Sequence, residues 1–225
     1  MKKLFLGLAL VAASFTFAQK KGTSPISYGL KAGMNVSSFS KDSGSDVQES
    51  KVGFYAGGFA NIPLSAQFSV QPELLYSGLG AKKVETFSGQ SQNTTFNSTR
   101  KSTASLDYLT VPVMFQYNAT PKLYLEAGPE FGFMLSAKEK VSTTMVAMTG
   151  NSSSTTTTET SGKIDKKDLK TFNFGLGLGA GYYFTPNIGV TLRYVAGLTD
   201  VVKNRPSGSD AVKNNVLQVG VAYKF

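Results

Sequence analysis

The carboxyl-terminal segment of the chain alternates between apolar residues and small or polar residues up to its final position. The apolar residues that recur at a spacing of two are Leu217, Val219, Val221, Tyr223 and Phe225. A spacing of two places successive side chains on opposite faces of a β-strand. Soluble domains rarely end on such a strand, so the pattern favours a strand whose apolar face meets lipid and whose other face lines an interior.

The amino-terminal segment has the features of a secretory signal peptide. Lys2 and Lys3 form a basic start, residues 4–17 are almost wholly apolar, and small residues precede Gln19. These features predict cleavage after Ala18, so that residues 1–18 are a signal peptide and residues 19–225 form one domain. An uncleaved anchor is less favoured, because the segment is shorter than the ~20 residues of a spanning helix.

Apolar and polar residues alternate in eight segments of the chain. These segments are residues 26–37, 51–61, 67–78, 105–117, 122–136, 169–184, 187–198 and 214–225. Most reach the ~9–11 residues that a tilted strand needs to cross a bilayer. The gaps between them alternate between short and long. We therefore predict an all-β fold, an eight-stranded antiparallel up-and-down transmembrane β-barrel with short periplasmic turns and long extracellular loops.

Two of the long loops have the composition of further strands. Residues 83–87 and 94–105 flank the sequence Ser88-Gly89-Gln90, and residues 141–148 are followed by Gly150 and Asn151. We interpret both loops as hairpins that extend the strands beyond the membrane. The Ser/Thr-rich residues 152–160 fit a strand and a disordered loop about equally, because Thr favours strands but nothing there buries apolar area.

The bulky and the small residues of each segment fall on different faces. In residues 169–184, Leu176 and Leu178 alternate with Gly177 and Gly179. Bulky residues on the outer face and glycines on the inner face suit a narrow barrel, where interior space is scarce. The aromatic residues fall near both ends of the segments, as two membrane interfaces require. Residues 51–61 are the least clear segment, because an aromatic residue falls on each face.

Six charged residues fall on the inward faces. They are Lys31, Glu73, Glu126, Glu130, Arg193 and Lys224. A charge in a narrow and partly dry lumen is unfavourable unless it is paired. Three positive and three negative charges predict a paired network that plugs the interior. The alternative is a polar lining for ion passage, which eight strands disfavour because they leave an interior just wide enough for side chains.

The composition excludes several kinds of chemistry. The chain has no His and no Cys, which removes Ser/His/Asp and Cys/His nucleophiles, His-based metal sites and disulfides. The glycines at 175–181 recur at a spacing of two and precede no helix, so they are not a phosphate loop. We expect no catalytic residue, cofactor or metal. The net charge of +9 lies in loops without a basic helix, which favours acidic lipid headgroups and lipopolysaccharide over nucleic acid.

Several motifs resemble those of a known family. They are the segments YGLKAGMN (28–35), QPELLY (71–76), YLTVPV (108–113), YLEAGP (124–129) and the terminal YKF (223–225). With them the chain resembles the small outer-membrane β-barrel proteins of Bacteroidota, called porin-family proteins, which are similar to OmpA/OmpX-type barrels. The resemblance implies a location in the outer membrane of a Gram-negative bacterium and no shared catalytic residues. It also implies that the barrel-assembly machinery recognises Tyr223 and Phe225.

Three functions remain open from the sequence. The first is a monomeric, non-enzymatic barrel with a largely closed lumen, which supports the envelope or contacts an extracellular ligand through its hairpins, whose exposed edges can add a strand. The second is a narrow porin that passes ions or small solutes. The third is a soluble periplasmic barrel for a lipophilic ligand, which the inward glycines and the terminal Phe225 disfavour.

Overall fold

The computed structural model of the protein describes residues 25–40, 47–165, 167, 169–203 and 211–225. The predicted signal peptide lies outside these ranges, and the predicted domain boundaries stay a prediction. In the described part of the chain, no helix is both long and apolar enough to cross a membrane.

Nine antiparallel strands make up the fold. They are β1 (Ser27–Phe39), β2 (Val47–Pro63), β3 (Phe68–Ser91), β4 (Thr94–Asn118), β5 (Leu123–Thr149), β6 (Ser152–Lys163), β7 (Phe172–Tyr183), β8 (Ile188–Gly197) and β9 (Asn214–Lys224). Eight of them close into a ring, because β1 pairs with β9 and β4 pairs with β5. The ninth, β6, pairs with β5 alone and lies outside the ring. The predicted eight-stranded up-and-down barrel is confirmed, with one additional strand.

The three short turns at one end of the barrel use the same local device. Ser65, Thr120 and Thr185 each accept hydrogen bonds through the side-chain oxygen from the backbone N–H groups two and three residues later, at 2.9–3.3 Å. Hydroxyl side chains favour turns for this reason, because they offer the backbone a local partner. The first described strand begins and the chain ends at this turn end.

At the opposite end, four strands continue beyond the ring as a protruding sheet. This sheet comprises residues 81–91 of β3, 94–104 of β4, 138–149 of β5 and all of β6. The prediction of hairpins that extend the strands is therefore confirmed, and residues 152–160 form a strand. Residues 88–90, which lie between the two strand-like stretches of the sequence, belong to the strand ladder. The β3–β4 ladder continues to Ser91 and Thr94, and the chain reverses at Gln92, which has a φ of 50°.

The inward and outward faces agree with the alternation in the sequence. Leu178 and Val221 on the outside are 68% and 56% exposed, whereas the glycines of β7 face the interior. The sequence left open which aromatic residue of β2 faces inward. In the structure Tyr55 is buried inside the barrel and Phe54 is exposed outside it. The inward glycines are required for space: a Cβ at Gly181 would overlap the ring of Tyr124.

The interior at the loop end is closed by an apolar cap. The cap is one cluster of residues that pack against one another: Ile164, Leu169, Val201, Leu79, Leu106, Tyr108, Met134, Ala137, Val195 and Val216. Leu169 forms an isolated β-bridge with Val202, and the N–H of Lys170 donates to the carbonyl of Val201 at 2.9 Å. The predicted start of a strand at residue 169 is therefore wrong. Leu169 belongs to the cap, and the ladder of β7 begins at Phe172.

Candidate functional site

Four of the six predicted inward charges form one connected network in the middle of the barrel. Arg193 on β8 donates from Nη1 and Nη2 to the two carboxylate oxygens of Glu73 on β3, at 2.8 and 2.7 Å. Its Nε donates to Oε1 of Glu126 on β5 at 2.7 Å. Lys31 on β1 donates to Oε1 of Glu73, also at 2.7 Å. These four residues, the lumen ion network, tie four strands together across the interior with side chains at most 2% exposed.

Neutral polar side chains continue this network toward the turn end. Gln71 donates to Glu73 at 2.8 Å, and Gln116 donates to Glu126 at 3.1 Å. Asn61 in turn donates to Gln116 at 2.8 Å and to Gln71 at 3.2 Å. The prediction did not include these amides because it considered only charged residues. The spacing of two that placed Glu73 inside places Gln71 inside as well.

Glu130 and Lys224 do not join the lumen ion network, which corrects the predicted network of six charges. Glu130 is buried but makes no ion pair with any described residue. It lies four residues beyond Glu126 on β5, which is about 13 Å along a strand. Lys224 lies at the turn end, where its ammonium group is 4.3 Å from the centre of the Tyr183 ring. The alternation of residues along a strand shows which face a residue lies on. It does not show how far along the barrel axis that residue lies from charges on other strands.

The two ends of the interior differ in polarity. At the turn end, a vestibule of about 460 Å³ is lined by polar side chains, among them Asn61, Gln116, Tyr124, Tyr183 and Lys224. Above it lie the lumen ion network and then the apolar cap. An interior filled in this way is what eight strands produce, because their enclosed space matches the volume of the side chains.

The two predicted assembly residues lie on the outside of the barrel at the turn end. Tyr223 is 46% exposed and Phe225 is 70% exposed, and their ring centroids are 5.4 Å apart. The N–H of Phe225 donates to the carbonyl of Tyr28 on β1 at 2.9 Å. The terminal residue is thus held at the junction of β9 and β1, where the ring of strands closes.

The protruding sheet carries small polar side chains and one aromatic pair. Thr86, Thr99, Thr144 and Thr157 lie opposite one another and form one row across its four strands. On the other face, Phe87 and Phe96 lie with ring centroids 6.2 Å apart. All twelve residues of β6 are exposed, and the edge of β6 that faces away from β5 pairs with no strand in the described parts of the chain.

The acidic side chains of the described residues are scattered. They include no group of three or more acidic side chains that is placed to hold a metal ion. His and Cys do not occur in the sequence.

A closed β-barrel with an apolar exterior, an interior filled by polar side chains and short turns at one end defines an integral β-barrel of the outer-membrane type. The comparison with family models agrees. The model of the outer membrane protein beta-barrel domain matches residues 17–203, and the chain belongs to this family. It is therefore an outer-membrane β-barrel protein.

Comparisons with other proteins concern the fold alone. No curated protein sequence matches the chain. Among solved structures, Ail, the attachment invasion locus protein of Yersinia pestis, is 14% identical with a TM-score of 0.43, over 90% of this chain and all of Ail. Neisserial surface protein A is 15% identical with a TM-score of 0.44, over the same shares. OprG from Pseudomonas aeruginosa is 11% identical with a TM-score of 0.37, over 88% of this chain and 95% of OprG.

Proposed function

We propose that this protein is a monomeric, non-enzymatic barrel with a closed lumen that contacts an extracellular partner through the free edge of β6. The partner would add an extended segment to this edge as a further strand of the protruding sheet. The observation that carries the proposal is the contrast between the two parts of the molecule. The interior is filled by the lumen ion network and the apolar cap, whereas the protruding sheet leaves one strand half paired.

The edge of β6 has few of the features that usually protect a sheet edge. Proteins protect such edges with Lys, Pro, bulges or very short strands. β6 has twelve residues, no Pro and only two charged side chains, Glu159 and Lys163. Glu159 is engaged with Lys140 on β5 at 3.0 Å. The stretch 152–158 offers only Ser and Thr, whose small side chains leave the backbone groups accessible. Backbone hydrogen bonds would supply affinity in this mode of recognition.

The narrow-porin alternative has less support from the geometry. A conducting pathway requires a polar passage through the interior, but the apolar cap closes the loop end with Leu106 only 1% exposed and Val201 only 4% exposed. Below the cap, Arg193 makes three hydrogen bonds to carboxylates and Lys31 makes one. Passage of an ion would require the apolar cap and the lumen ion network to open at the same time.

The remaining elements of the proposal concern location and assembly. Export through a cleaved signal peptide, recognition of Tyr223 and Phe225 by the barrel-assembly machinery, and contact of the outer surface with lipid and lipopolysaccharide fit the composition and the exposed aromatic residues. The side chains on the lipid-facing surface near the turn end include Tyr28, Phe68 and Phe115, each more than half exposed. Large apolar rings at this height suit the interface between membrane and water.

The experiment that tests edge recognition uses a random-peptide display library panned against the mature barrel in nanodiscs. Enriched peptides are then measured against two separate variants, Thr157→Pro and Thr158→Pro. Successive N–H groups of a strand point to opposite sides, so one proline removes an N–H from the free edge and the other removes one from the β5–β6 ladder. Edge strands tolerate a proline whose missing N–H faces solvent.

The proposal predicts that the outward-facing proline abolishes binding while the far-UV circular dichroism of the barrel stays unchanged. The matched controls Thr157→Val and Thr158→Val keep the backbone N–H groups and should retain binding. If a valine variant loses binding as completely as the proline variant at the same position, side chains and not the strand edge carry recognition. Peptides that bind all four variants equally would place the contact elsewhere on the molecule.

A further inference from the structure

A small chamber lies inside the barrel between the lumen ion network and the apolar cap. Its volume is about 10 Å³, which is the space of about one water molecule or one unhydrated alkali cation. Its polar lining includes Tyr108, Thr110, Glu130, Asn173 and Asn214, which come from β4, β5, β7 and β9. Side chains from four different strands thus converge on a space that holds a single small particle.

Several polar atoms at this chamber have no hydrogen-bond partner among the described protein atoms. They are Oε2 of Glu130, Oη of Tyr108, and both Oδ1 and Nδ2 of Asn214. Glu130 is 7% exposed and Asn214 is 2% exposed. Buried polar groups are nearly always paired, because an unpaired group keeps its full desolvation penalty of about 1–3 kcal/mol. The convergence of unpaired oxygens from three strands therefore indicates a small polar guest.

The charge balance of the interior specifies the sign of that guest. The buried charged residues of the described chain are Lys31 and Arg193 against Glu73, Glu126 and Glu130. Both cations are already paired within the lumen ion network. Lys31 binds Glu73, and all three donating nitrogens of Arg193 bind Glu73 or Glu126. An ionised Glu130 would therefore have no protein cation to balance its charge. A buried carboxylate is strongly disfavoured unless it is neutralised by a cation or a proton.

We propose that this chamber is a binding site for one monovalent alkali cation, Na⁺ or K⁺, with the carboxylate of Glu130 as its charged ligand and Oδ1 of Asn214 as a neutral ligand. Carboxylate and amide oxygens are the ligands that hard cations take. A single carboxylate balances a single positive charge, whereas the described residues contain no cluster of acids for a divalent ion. A proton on Glu130 together with a water molecule in the chamber would also satisfy these groups, and the experiment below distinguishes that arrangement from a bound cation. The bound cation would act as a structural counter-charge that fastens β5 to β9 beneath the apolar cap.

The test compares the thermal unfolding of the mature barrel in detergent micelles, refolded in sodium, potassium or choline chloride at equal ionic strength. Choline is too large for the chamber. We expect an apparent Tm that is about 5 °C higher in the better-fitting alkali salt than in choline, the order of shift that saturation of a native-state site produces. The isosteric variant Glu130→Gln removes the negative charge and should abolish this difference. Glu139→Gln, an exposed carboxylate on the same strand, is the matched control and should retain it.

A second measurement is the relaxation of the ²³Na nucleus, which a protein-bound ion accelerates. The wild type should broaden the sodium signal in a manner that added potassium reverses, and Glu130→Gln should not. The proposal is overturned if the wild type unfolds at the same temperature in all three salts, which would mean that Glu130 is neutralised by a proton beside a water. It is equally overturned if wild type and Glu130→Gln respond alike. Neither result depends on whether the edge of β6 binds a peptide.

Discussion

Replacement of Arg193 by Met tests whether the lumen ion network is a dry structural element. The substitution keeps much of the side-chain volume and removes three charge-assisted hydrogen bonds of 2.7–2.8 Å. Glu73 keeps Lys31 and Gln71 as partners, but Glu126 keeps only the amide of Gln116 at 3.1 Å. Removing one partner of a buried ion pair typically destabilises a protein by about 3–5 kcal/mol. This range corresponds to roughly a 150-fold to 5,000-fold change in the unfolding equilibrium.

The assay is urea-induced unfolding of the mature barrel in lipid vesicles, followed by far-UV circular dichroism because the chain contains no Trp. The double variant Arg193→Met with Glu126→Gln should recover part of the loss, since it removes the carboxylate that Arg193→Met leaves unpaired. Lys138→Met, an exposed cation beyond the barrel ring, serves as the matched control with a change within about 0.5 kcal/mol. A loss below about 1 kcal/mol for Arg193→Met would refute the reasoning, because it is the size expected of a solvated ion pair.

Three further predictions concern the packing, the chain terminus and the cap. Gly181→Val should prevent folding in micelles, assayed by heat-modifiable gel mobility, because its Cβ would overlap the ring of Tyr124. The control Gly162→Val should fold normally, because a Cβ at that position meets nothing within 4 Å. Equal folding of both variants would contradict the close packing. Deletion of Phe225 should lower outer-membrane levels in cells, measured by fractionation and immunoblot against wild type, and unchanged levels would refute its role in assembly. Leu106→Ala in the apolar cap should destabilise the barrel by about 2–5 kcal/mol in the urea assay, and a neutral result would mean that the cap is loosely packed.

The alternation of residues predicted much of the fold because it reports directly on the two faces of a strand. The strand order, the closed ring and the interior position of Glu73 and Arg193 follow from this period of two and from the lengths of the gaps. The height of each residue does not follow from it. Height depends on the stagger between neighbouring strands, which is why Glu130 and Lys224 were grouped with charges that they do not reach.

Local pattern also failed where a residue is used in tertiary packing. Leu169 stands close before the apolar alternation of β7 in the sequence, but it bridges to Val202 and packs in the apolar cap. Gly89 is a common turn residue, but here it stands opposite Phe96 within a regular ladder, and the chain reverses at Gln92 instead. The Ser/Thr run that fitted a strand and a disordered loop equally became β6, since β5 offers it a complete row of backbone partners.

Single-channel conductance of the mature protein, refolded and inserted into a planar bilayer, tests the central claim that the lumen is closed. A barrel plugged by the lumen ion network and the apolar cap should show heat-modifiable folding and no discrete openings under applied voltage. Steady and reproducible openings that change in size or selectivity when Arg193 or Glu126 is replaced would contradict the account. In that case the inner charges would line a pore, and the protein would be a narrow porin.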